Sequence, residues 1–79
     1  ERRLPLPVSV PMALPVTVNG MATECPSGFS VDQLLRRLQL PLDRIAVERN
    51  RQIIRREQRE SVEVQSGDVF EVVTFVGGG

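Results

Sequence analysis

FSVDQLLRRL, residues 29–38, is the stretch on which the fold turns. Val31, Leu34, Leu35 and Leu38 recur at i, i+3, i+4 and i+7, while Asp32, Gln33, Arg36 and Arg37 fall on the other side. That is the pattern of one amphipathic helix. Ser30 stands where an N-cap is needed, and Gln33 completes an S-x-x-Q capping box. Phe29, just before the cap, is placed to staple onto Leu34. Pro41 disfavours helical backbone at Leu40 and so helps to end the helix, which predicts about two to three turns.

On either side of this helix the chain reads as strands and turns. Val16, Thr17 and Val18 alternate, Asn19-Gly20 favours positive φ, and Met21 to Cys25 return as the second arm of a hairpin. After the helix, Ile45 to Glu48 reads as a third strand. Gln52 to Ile54 forms a short fourth beyond an Asn50-Arg51 turn. Arg55 to Glu60 is polar, with room for a single helical turn. Ser66-Gly67-Asp68 is a turn, and Val69 to Val76 is the last and longest strand. One helix on one face of a mixed sheet buries these apolar stripes economically. The expected class is α+β, a β-grasp (ubiquitin-like) domain with four to five strands and one main helix.

The chain ends are of a different character. Four of the six prolines (Pro5, Pro7, Pro11 and Pro15) lie in the first fifteen residues, where they block helical bonding and interrupt strand ladders. Residues 1–15 are therefore expected to form a disordered proline-rich arm, followed by a folded domain over 16–76 and a flexible glycine tail over 77–79. The prolines also break any helical core of a signal peptide. Met12 is the expected natural start.

Composition removes most catalytic chemistry. The 79 residues suffice for one small core. Ten Arg balance ten Asp plus Glu, and His, Lys, Tyr and Trp are all absent. Without a basic surplus, neither nucleic acid nor a membrane is an expected partner. Without His or Lys there is no imidazole base for Ser27, Ser30 or Cys25, and no Schiff-base amine. One Cys and no His argue against a metal site, and none is assigned. The chain is thus not expected to be an enzyme. Cys25 cannot form an internal disulfide, as is usual in a reducing compartment, so the expected location is cytoplasmic. With no cationic neighbour evident in sequence, Cys25 reads as a packing residue. Arg49, Arg51, Arg55, Arg56 and Arg59 alternate with Glu48, Glu57 and Glu60, which reads as a solvated face.

The last strand, VFEVVTFV, carries the functional signal. Glu71 marks the wet face, so Phe70, Val72 and Thr74 point under the helix, while Val69, Val73 and Phe75 lie outside. An exposed Val73 and Phe75 beside a terminal Gly77-Gly78-Gly79 suggests a docking surface. Glycines lack Cβ and can thread a channel too narrow for side chains. Such a tail would carry the Gly79 carboxylate into another protein, with Val73, Phe75, Val76, Gly77 and Gly78 as its contact residues.

VNG at 18–20, VDQLL at 31–35, IAVERN at 45–50, II at 53–54, SGD at 66–68 and EVVTFVGGG at 71–79 together resemble the ThiS family of sulfur carriers in thiamine biosynthesis. The resemblance covers Val16 to Gly79 and leaves the proline-rich arm outside. It implies a protein co-substrate that binds no cofactor. A ThiF-like adenylating enzyme would use ATP and magnesium to activate the Gly79 carboxylate. Sulfur from a cysteine desulfurase or other donor would convert it to a thiocarboxylate, and a ThiG-like thiazole synthase would take up the sulfur. The alternatives are a related β-grasp carrier for molybdopterin or tRNA thiolation, a ubiquitin-like protein modifier, or a non-covalent adaptor.

Overall fold

The computed structural model describes residues 12–75. Strands β1 (Ala13–Val18) and β2 (Met21–Pro26) form a hairpin, and helix α1 (Val31–Arg37) follows. Strands β3 (Ile45–Arg49) and β4 (Gln52–Ile54), a 3-10 turn (Arg56–Gln58) and β5 (Val69–Thr74) complete the domain. The sheet order is β2-β1-β5-β3-β4. β5 is central, parallel to β1 and antiparallel to β3. This five-stranded mixed sheet with one helix is the α+β architecture expected from the pattern.

The capping box forms as read. Gln33 N–H donates to Ser30 Oγ at 3.1 Å, and Ser30 N–H donates to Gln33 Oε1 at 2.8 Å. The remaining orphan donors of the first turn go to the loop after the 3-10 turn: Val31 N–H to Val62 O and Asp32 N–H to Arg59 O, both 2.8 Å. A seven-residue helix has little stability of its own. Its strength comes from Val31, Leu34 and Leu35, which are buried with Val16, Val47, Ile54, Phe70 and Val72 in one core. Phe29 packs, partly buried, against the same core.

The helix stops earlier than Pro41 requires. Gln39 takes φ +60°, while Gln39 N–H reaches Arg36 O at 2.9 Å and Leu40 N–H reaches Leu35 O at 3.2 Å. These paired bonds are a Schellman motif with glutamine where glycine is usual. Gln39→Gly should raise stability by about 0.5–1 kcal/mol by relieving the left-handed strain, read as a shift in the denaturant midpoint at unchanged slope.

Four expectations need correction. β5, expected to be the longest strand and to run on from Val69 to Val76, ends at Thr74 and is no longer than β1 or β2. β1 begins at Ala13, so the arm expected over residues 1–15 does not reach Pro15. Pro15 is tolerated because its backbone faces the β5 side, where only its carbonyl is used, accepting from Gly67 N–H at 2.7 Å. Residues 1–11 lie outside those described. Thr74 is exposed rather than covered. It sits past the last β1–β5 pair, Val18 with Phe70, at the open end of the sheet.

Arg59 is no part of a solvated face, being only 5% exposed. Its two terminal nitrogens donate to Leu42 O and Ile45 O, each at 2.9 Å. Burial pushes the guanidinium down from its ordinary pKa and Arg56 adds to this, while Asp32 opposes it. The side chain ties the loop that caps α1 to the entry of β3.

Candidate functional site

β5 places the predicted residues on two faces. Phe70 and Val72 are buried, while Val69, Val73 and Phe75 are 43%, 58% and 57% exposed. The outward apolar face read from Glu71 is therefore present. Cross-strand register adds Ile53, 66% exposed and unassigned from sequence, because Ile53 pairs with Glu48 and Glu48 with Glu71. The signal was available: with Ile54 inward, strict alternation sends Ile53 outward. Ala46, opposite Val73, lies on the same face, while Glu48 and Glu71 stand directly across from Ile53.

β5 is anchored at both ends. Asp68, 3% exposed, precedes it. Its Oδ2 accepts from Arg49 Nε and from Gln65 N–H, each at 2.8 Å, and its Oδ1 accepts from Asn50 Nδ2 at 3.1 Å. Burial pushes this carboxyl's pKa up. The bonds from Arg49, the Gln65 backbone and Asn50 outweigh it and hold the group below the usual carboxylate range. Asn50 continues the clasp, donating N–H to Val69 O at 2.7 Å and accepting Val69 N–H at 2.9 Å. At the far end, Phe75 N–H donates to Arg44 O at 2.7 Å. Val76, Gly77, Gly78 and Gly79, the rest of the predicted contact set and the carboxylate expected to react, lie outside the described residues.

Cys25 is fully buried. Burial raises its pKa, Arg37 partly offsets this and Asp68 adds to it. Arg37 is a cationic neighbour that sequence did not reveal, yet the thiol remains enclosed in the core. Among the described residues there is no group of three or more His, Cys, Asp or Glu side chains able to hold a metal ion. Nor is any helix among them long and apolar enough to cross a membrane.

A mixed sheet with a central C-terminal strand, one capped helix and an apolar outer face defines a ubiquitin-like β-grasp domain. Residues 16–79 match the model of the ThiS family, and the chain belongs to that family. A crystal structure of the thiamine biosynthesis protein ThiS from Geobacter metallireducens superposes with a TM-score of 0.70 at 31% identity, covering 84% of this chain and 100% of that one. The sulfur carrier protein ThiS of Bacillus subtilis is 44% identical over 50 residues, 63% of this chain and 76% of the relative. A thiazole synthase of Paramagnetospirillum magneticum is 34% identical over 64 residues, 81% of this chain. The chain spans 20% of the length of that thiazole synthase, and the same share of a second from Magnetococcus marinus.

Proposed function

We propose that the chain is a sulfur carrier in thiamine biosynthesis, acting as a protein co-substrate rather than an enzyme. The observation that carries this reading is the family match, which runs through Gly79 and so includes the glycine tail. A carboxylate is a poor electrophile. A ThiF-like partner, using ATP and magnesium, would join AMP to the Gly79 carboxylate and release pyrophosphate. A persulfide sulfur, drawn from a cysteine desulfurase or other donor, then displaces AMP. Cleavage of the resulting acyl disulfide by a thiol leaves the Gly79 thiocarboxylate, a nucleophile held on a protein handle.

Val73 and Phe75 dock the body, while Val76, Gly77 and Gly78 lead the reacting group into the partner. A ThiG-like thiazole synthase consumes the sulfur. Similarity to a fifth of two thiazole synthases supports that pairing. The site of action is the cytoplasm, in keeping with a single buried thiol.

The test is the intact mass of the chain after incubation with cell extract, ATP and cysteine. One sulfur-for-oxygen exchange localised to Gly79 is expected, and a chain lacking Gly79 should remain folded but unmodified. No exchange in the presence of a competent activating enzyme would overturn the reading. Adducts with cellular proteins would instead indicate a modifier.

A further inference from the structure

The Asn19-Gly20 turn does more than reverse the hairpin. Asn19 N–H donates to Phe70 O at 2.9 Å, the last backbone bond from β1 to β5. Were the parallel ladder to continue, the Asn19 carbonyl would accept from Val72 N–H and the next N–H of the strand would reach Val72 O. Asn19 instead takes φ +50° and Gly20 φ +80°, which turns the chain away from β5. The Asn19 side chain supplies both missing bonds. Its Oδ1 accepts from Val72 N–H at 2.7 Å, and its Nδ2 donates to Val72 O at 3.1 Å, across 53 positions of sequence.

We propose that Asn19 is a positioning residue: its amide stands in for the absent β1 residue and fixes the exit of β5. With Phe75 N–H held by Arg44 O on the β3 side, β5 is gripped from both flanks just where Val73 and Phe75 emerge. The orientation in which β5 ends, ahead of the segment after Phe75, is set there. This inference rests on the carrier reading, in which that segment presents the reacting carboxylate. Asparagine is suited to both tasks, since it tolerates positive φ and its amide carries a donor and an acceptor.

Asn19→Gly keeps the turn conformation and removes the amide. Asn19→Asp keeps the acceptor for Val72 N–H but replaces the donor to Val72 O with an oxygen. Two readouts are taken on the full chain. In amide hydrogen exchange, Val72 should exchange about tenfold faster in Asn19→Gly relative to Val47, with Asn19→Asp between. In carrier-dependent ATP–pyrophosphate exchange with a ThiF-like enzyme, kcat should fall about tenfold in Asn19→Gly with a smaller change in KM, because the reacting end is misdirected. Val64→Ala, a core truncation outside β5, serves as the stability control and should leave kcat unchanged well below its melting temperature. Unchanged Val72 exchange in Asn19→Gly overturns the clasp. Faster exchange with unaltered kcat, or a kcat loss matched by Val64→Ala, reduces Asn19 to a structural role and overturns the positioning proposal. Failure of the wild-type chain to support pyrophosphate exchange refutes the carrier reading, and with it the positioning role, while hydrogen exchange still decides the clasp.

Discussion

Asp68→Asn should cost about 3 kcal/mol of folding stability at neutral pH and remove part of the chain's acid sensitivity. The carboxylate receives three donors, two on Oδ2 and one on Oδ1. An asparagine amide turned either way sets its own N–H against at least one of them, and it leaves Arg49 without its buried counter-charge. The pH dependence has a definite sign. The folded-state pKa of Asp68 lies below its ordinary value, so its stabilisation is fully present above the unfolded value of about 3.9. It is lost as pH falls from there through the folded value. Denaturant midpoints measured from pH 7 downwards should therefore fall for the wild type in that acid window, and fall less for Asp68→Asn. Parallel curves would show that the network carries no linkage.

That network also shows where local reading stops. The capping box, the helical stripe and the Asn19-Gly20 turn were legible because each is set by residues within a few positions of one another. Phe70 inside and Val73 outside followed from alternation about one charged residue, Glu71. Pro15 misled because the cost of a missing N–H depends on which flank of the strand is paired, and that is decided by Gly67, distant in sequence. Arg59 looked like one charge among many. Its burial depends on two carbonyls, of Leu42 and Ile45, left free at the entry to β3. Asn19 was recognised as a turn residue, but its bonds to Val72 exist only once β1 and β5 lie side by side. In each case the residue type was visible and its partner was not. The candidate site divides the same way: Val73 and Phe75 follow from strand phase, whereas Ile53 joins them only through the β3–β4 and β3–β5 registers.

The outer face should separate docking from folding. In Val73→Thr with Phe75→Ser, both side chains change where they are 58% and 57% exposed, and threonine retains the β-branched shape that suits a strand. Phe75 lies outside the helix–sheet core, and its bond to Arg44 uses only the backbone. Stability should therefore stay within about 0.5 kcal/mol of wild type. Activation by a ThiF-like partner should fall about 100-fold in kcat/KM, because an aromatic anchor and its neighbour are worth about 2–3 kcal/mol at a docking surface. The loss should appear as raised KM with kcat largely kept if, as proposed, these side chains dock the body on the partner and the Gly79 carboxylate is the reacting group. Removing Gly79 should give the opposite split, with docking intact and turnover abolished. If the double variant lowers kcat with KM unchanged, Val73 and Phe75 act on the tail rather than on docking. If neither constant moves, the apolar face serves some other contact and the partner grips the glycines alone.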